Sequence, residues 1–66
     1  MNLTVNGEPK VFEGLADLSG LVRALGLDGR KVAIERNLEI VPRSAYGRTP
    51  LADGDRIEIV HFIGGG

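Results

Sequence analysis

Alternation of apolar and polar residues at the start of the chain predicts a β-hairpin. Leu3-Thr4-Val5 have the two-residue period of a half-buried strand. Asn6-Gly7 follows at once, and this dipeptide favours a tight turn because both residues tolerate a positive φ. We therefore expect residues 10–12 to return beside the first strand.

The apolar period changes to that of a helix after Asp17. The Asp17 carboxylate is suited to cap the helix, because it can accept the free backbone N–H groups of a first turn. Apolar residues then recur on one helical face, at Leu18, Leu21, Val22 and Leu25. Gly26 favours a left-handed end to the helix, with Leu27 packing back on the last turn.

The middle of the chain predicts two short strands. Val32 and Ile34 alternate with Lys31, Ala33 and Glu35, which indicates a third strand. Residues 37–39 form the expected turn before a short strand at Ile40-Val41. Pro42 ends that strand because it has no backbone N–H to donate to a ladder. The segment 43–48 is expected to hold a helical turn or a loop.

Residues 56–62 form the most regular predicted strand. Alternation places three side chains on the face that meets the helix, Ile57, Ile59 and His61. The opposite face begins charged and ends apolar, with Arg56, Glu58, Val60 and Phe62. An apolar patch at that end suits docking of a partner. The alternative is that a loop of this chain covers Val60 and Phe62.

Together these elements predict an α+β fold of the β-grasp, ubiquitin-like type. One amphipathic helix packed on a mixed sheet of four to five strands buries the apolar faces economically. If the first and last strands pair in parallel, the helix is the right-handed crossover between them. The expected domain is residues 1–63, followed by a flexible glycine tail at residues 64–66.

Composition narrows the chemistry available to so small a domain. The chain has 66 residues, no Cys and one His, so disulfides, thiolate metal sites and imidazole clusters are excluded and no metal site is expected. A formal net charge of −1 gives no field that favours nucleic acid or a membrane surface. With no visible secretory signal and no apolar run near the ~20 residues of a membrane span, the chain is expected in the cytoplasm.

Three consecutive glycines, Gly64-Gly65-Gly66, follow Ile63 at the end of the sequence. Three extended residues reach at most about 10 Å, and without Cβ atoms they fit a channel too narrow for other residues. The carboxylate of Gly66 would become an acyl donor once joined to AMP as a mixed anhydride, and a sulfur nucleophile would then attack it. An inert, floppy end is the competing interpretation.

Segments spread over the whole chain carry a resemblance to a known family. They are Ile40-Val41-Pro42-Arg43-Ser44, the run from Thr49 to His61 with its Leu51-Ala52-Asp53-Gly54-Asp55 core, and Gly64-Gly65-Gly66. The opening Leu3–Glu8 also fits. In these segments the sequence closely resembles the sulfur carrier proteins of thiamine biosynthesis, the ThiS family.

The resemblance implies a β-grasp protein that carries sulfur and does not catalyse. An adenylating enzyme similar to the ubiquitin-activating type would consume ATP to activate Gly66, and the carrier would bind no cofactor of its own. A cysteine desulfurase relay would supply the sulfur of a thiocarboxylate, which thiazole synthase uses. Gly65 and Gly66 match the family's reactive tail, and Gly64 extends it. The expected partner contacts are Val60, Phe62, Ile63 and Arg43.

Two alternatives remain open at the level of sequence. The small subunit of molybdopterin synthase shares the fold and the Gly-Gly end, and a non-covalent β-grasp interaction module would have an inert tail. Two residues also depart from the family pattern. Leu38 stands in a turn where Gly is frequent, so that hairpin is expected to be built differently. Tyr46 stands where Trp is frequent and keeps an aromatic anchor.

Overall fold

A computed structural model describes residues 1–62 and has a five-stranded mixed sheet with helix α1 packed on one face. The elements are β1 (Asn2–Val5), β2 (Glu8–Val11), α1 (Leu18–Ala24), β3 (Val32–Arg36), β4 (Glu39–Val41) and β5 (Arg56–His61), with 3₁₀ helices at Gly29–Lys31 and Arg43–Arg48. The strand order is β2-β1-β5-β3-β4. β1 and β5 are parallel, and the other neighbouring strands are antiparallel. The predicted β-grasp arrangement is confirmed.

Helix α1 begins and ends where its capping residues predict. The Oδ1 atom of Asp17 accepts a hydrogen bond from the N–H of Gly20 at 2.9 Å, and Gly26 has the left-handed φ of 72°. Leu25 is the C-cap and is only partly buried. Within residues 1–62, no helix has the length and apolar character needed to cross a membrane. The apolar face of α1 packs on the sheet to form a core of Leu3, Val5, Leu18, Leu21, Val22, Val32, Ile34, Tyr46, Leu51 and Ile57.

Several strand boundaries differ from the prediction by one or two residues. β2 begins at Glu8 and contains Pro9, which the sheet tolerates because β2 is an edge strand. Glu39 belongs to β4, so the predicted turn at residues 37–39 is one residue too long. β5 ends at His61, although the N–H of Phe62 still donates to the backbone oxygen of Lys31 at 2.8 Å.

The β3–β4 hairpin contains the one strained backbone position at an apolar residue within residues 1–62. Its turn consists of Asn37 with a φ of 51° and Leu38 with a φ of 71°. Leu disfavours this left-handed region because its Cβ crowds the following carbonyl oxygen. Leu38 thus takes a positive φ that a glycine would adopt without strain.

Candidate functional site

The open face of the sheet, opposite helix α1, carries an apolar surface beside the end of β5. Val60 is 62% exposed and Phe62 is 53% exposed, as expected for that face. The alternative that a loop covers them is wrong for the described part of the chain. Ile40, which the sequence analysis did not assign to the site, is 78% exposed. We call the patch formed by Ala33, Ile40, Val60 and Phe62 the docking surface, after the partner contacts predicted there.

Pairing of strands β3, β4 and β5 brings these residues together. Val32 and Ile34 are buried toward the helix, so Ala33 and Glu35 project from the open face. Ala33 lies opposite Val60 on β5. A small groove of about 100 Å³ runs between the strands, lined by Ala33, Ile34, Glu35, Ile40, Glu58 and Val60.

A second, larger groove adjoins the first at Ala33 and Ile40. It has a volume of about 400 Å³, and Phe62 and Arg43 both line it. Two of the predicted contacts therefore share one groove, and Val60 lines the neighbouring one. The structure thus joins Val60, Phe62 and Arg43 into one continuous surface.

Tyr46 anchors the 3₁₀ segment that carries Arg43. The Tyr46 ring is buried, and its hydroxyl donates to the backbone oxygen of Val32 at 3.3 Å. Burial raises the pKa of Tyr46, and the nearby positive charge of Arg43 only partly opposes that shift. The buried ring confirms Tyr46 as the aromatic anchor of the 3₁₀ segment, and exposed Arg43 of the same segment lines the larger groove.

The acidic turn near residue 54 stabilises the fold. Asp55 is buried, and its carboxylate accepts hydrogen bonds from Arg36 Nε at 2.8 Å, Asn37 Nδ2 at 3.0 Å and the N–H of Ala52 at 2.8 Å. Burial raises the pKa of Asp55, but these hydrogen bonds outweigh it and the net pKa is lowered. Within residues 1–62, no three His, Cys, Asp or Glu side chains are grouped to hold a metal ion.

The predicted reactive tail, Gly64 to Gly66, and the predicted contact Ile63 lie outside the described residues. The domain boundary predicted at residue 63 lies there too. The described residues fix the point from which that segment starts. Phe62 is held to Lys31 by a backbone hydrogen bond and lies at the margin of the docking surface.

Comparison with known proteins gives full-length matches to small carriers. The model of the ThiS family matches residues 3–66. The sulfur carrier protein ThiS of Bacillus subtilis is 38% identical over 65 residues, covering 97% of this chain and 98% of that protein. A crystal structure of the thiamine biosynthesis protein (ThiS) from Geobacter metallireducens superposes with a TM-score of 0.85 and 39% identity, covering 100% of both chains.

A second kind of relative is much longer. A thiazole synthase of Paramagnetospirillum magneticum is 53% identical over 66 residues, which is all of this chain but only 20% of that protein. A thiazole synthase of Magnetococcus marinus is 48% identical, again over 20% of its length. The chain thus spans about a fifth of these relatives, which contain a similar segment within a longer polypeptide.

Proposed function

The chain belongs to the ThiS family, and we propose that it is a sulfur carrier of thiamine biosynthesis, acted on by partner enzymes and not itself an enzyme. The observation that carries the proposal is the extent of the family match. It runs from residue 3 to residue 66 and so includes both the docking surface and the three glycines. The relatives favour this function over the small subunit of molybdopterin synthase and over an interaction module with an inert tail.

The proposal assigns the chemistry to a terminal carboxylate at Gly66. On a cytoplasmic adenylating enzyme, this carboxylate attacks the α-phosphorus of ATP, pyrophosphate leaves, and an acyl adenylate forms. A cysteine desulfurase relay supplies the sulfur as a persulfide, and a thiol that is oxidised to a disulfide releases this sulfur as hydrosulfide, which then attacks the carbonyl carbon. The C–O bond to AMP breaks as the C–S bond forms, which leaves a thiocarboxylate. Thiazole synthase takes its sulfur from that thiocarboxylate.

The folded body contributes recognition to this cycle. Exposed apolar side chains next to the start of the tail give a partner a surface to bind while its active site holds the tail. Arg43 at the rim of the larger groove adds a positive charge, and rim charges of this kind raise association rates more than affinity. No side chain of the carrier is required as an acid or base.

Intact mass spectrometry tests the loading step. The chain is incubated with ATP, the adenylating enzyme and a sulfur donor, and replacement of one terminal oxygen by sulfur is expected. Deleting Gly66, or adding a peptide tag after it, should abolish this mass gain while circular dichroism shows an intact fold. The same tag placed before Met1 is the control and should permit loading. Loading of the Gly66 deletion variant would contradict the proposal.

A matched pair of substitutions tests the docking surface. Phe62→Asp places a charge in the expected interface and should weaken binding to the adenylating enzyme by roughly tenfold or more. Its effect on stability should be small, because Phe62 is already 53% exposed. Val11→Asp is the control, since Val11 is 73% exposed on edge strand β2 and pairs with Asn2 at the far side of the sheet. Calorimetric titration showing equal binding by both variants would exclude this surface.

A further inference from the structure

Two glutamates lie directly opposite each other on the open face. The antiparallel register of β3 and β5 pairs Glu35 with Glu58, and both side chains are half-buried. The ion pairs formed within residues 1–62 join Arg30 to Asp28 and Arg36 to Asp55, so neither glutamate has a cationic partner there. Like charges directly opposite in a sheet repel and destabilise it. We call Glu35 and Glu58 the acidic pair.

The acidic pair lies beside the docking surface, on the same face of the sheet. Ile40 lies opposite Glu35 on the other side of β3, and Val60 follows Glu58 on the same face of β5. The groove that these residues line has a volume of about 100 Å³. Pockets for small-molecule ligands are typically about 300–1,000 Å³. The size therefore fits one inserted side chain, packed on mainly apolar walls to which the two glutamates also contribute.

We propose that an arginine side chain of thiazole synthase inserts between Glu35 and Glu58 when the loaded carrier binds. A guanidinium presents a planar fork of donors that bonds two carboxylate groups, and it remains charged at every physiological pH. Its aliphatic stem packs on Ile40 and Val60, as long cationic side chains do on apolar surface. The inserted charge also removes the repulsion within the acidic pair.

The choice of thiazole synthase as the occupant rests on the proposed function and on the longer relatives. In two of them, a segment 53% or 48% identical to this chain is part of a thiazole synthase polypeptide. A domain tethered to such an enzyme meets it at high effective concentration. The groove that the acidic pair lines also adjoins the larger groove at Ala33 and Ile40. One partner surface can therefore cover the acidic pair together with Phe62.

The test compares carboxamide variants, in which each substitution removes one negative charge. Glu35→Gln combined with Glu58→Gln should weaken binding to thiazole synthase by roughly tenfold or more, and reduce the salt dependence of the remaining affinity. The same double variant should melt roughly 2–6 °C higher when free, because the repulsion is gone. Glu39→Gln is the control, since Glu39 is exposed on β4 and faces away from the acidic pair.

Weaker binding to thiazole synthase together with a higher melting temperature of the free double variant would support the inference. Unchanged affinity of the double variant for thiazole synthase, or an equal loss from Glu39→Gln, overturns it. Lower melting temperature together with weaker binding also overturns it, because the pair would then be structural. Loading of the unmodified chain is followed separately by intact mass. If the unmodified chain loads normally but the double variant binds as tightly as wild type, only this inference is refuted. If the unmodified chain fails to load, the proposed function is refuted.

Discussion

Two hairpin turns hold strand β5 at different points, and they differ in one residue type. In the β1–β2 turn, Asn6 accepts a hydrogen bond from the N–H of Ile59 at 2.7 Å and donates to its carbonyl oxygen at 3.2 Å. In the β3–β4 turn, Asn37 accepts from the N–H of Arg56 at 2.9 Å. The first residue of each turn is thus an Asn with positive φ whose side chain bonds β5.

The second residue of each turn is where the hairpins diverge. Gly7, with a φ of 81°, has no Cβ to crowd the backbone. Leu38, with a φ of 71°, takes a conformation that costs an L-residue roughly 1–2 kcal/mol. The strained turn is also the one linked to a buried charge, because Asn37 donates to Asp55. Strain of this kind persists where surrounding bonds over-determine the backbone, and Asp55 supplies those bonds.

Removing the buried carboxylate of Asp55 should show most clearly how the β3–β4 turn differs from the β1–β2 turn. Asp55→Ala deletes the acceptor of three hydrogen bonds and leaves Arg36 without its partner, so we expect a loss of about 3 kcal/mol in the free energy of unfolding. Asp53→Ala is the control, because exposed Asp53 accepts only from the N–H of Asn2 within the described residues. Urea unfolding measures both, and equal losses would show that the cluster does not hold the second turn.

Lowering the pH should weaken the β3–β4 turn before the β1–β2 turn. The pKa of Asp55 is lowered in the fold, so the folded state binds a proton less readily than the unfolded state. The stabilisation is complete above about pH 4 and is lost as the pH falls below that value. Asp28, whose pKa is lowered to about 2 by Arg30, adds to the same acid loss.

Comparison with a variant isolates the Asp55 contribution to that acid loss. The wild-type chain should lose more stability than Asp55→Asn as the pH falls from neutral toward 3, because Asp28 acts equally in both. Amide exchange should show Arg56 losing protection before Ile59. Parallel pH profiles of the two proteins would contradict this.

Exchanging the second residue of each turn, Leu38 and Gly7, should have the smallest effect on stability and gives the most direct comparison of the two turns. Leu38→Gly removes the left-handed strain but adds the backbone entropy of glycine, so we expect a net gain below about 1 kcal/mol. Gly7→Leu introduces the same strain without the Asp55 cluster and should cost about 1–2 kcal/mol. Urea midpoints give both values. Destabilisation by Leu38→Gly would mean that the Leu38 side chain contributes packing that outweighs its strain.

The fold was predictable because its signals are local. Asn6-Gly7 specifies the first turn, and Asp17 and Gly26 mark both ends of the helix by capping chemistry. The prediction is wrong where the boundary of an element depends on residues that are distant in the sequence. The start of β2 at Glu8 depends on that strand being an edge, which makes Pro9 acceptable.

The site was predictable only along one strand. Alternation within β5 identifies Val60 and Phe62, because the period of a strand needs no partner to be read. Ile40 and Glu35 were missed because cross-strand register places them beside β5, and a slip of one residue would turn them to the other face. Alternation within β3 was the available signal, since buried Val32 and Ile34 imply that Glu35 faces outward.

The central place of β5 in the sheet has a mechanical consequence. Ladder bonds join β5 to β1 on one side and to β3 on the other, and they run across the strands. A pull applied at Phe62 along the strand axis therefore loads the bonds of both ladders together, whereas an edge strand has a single ladder to resist the same force. Two ladders, one on each side of β5, thus resist a force on this end of the strand.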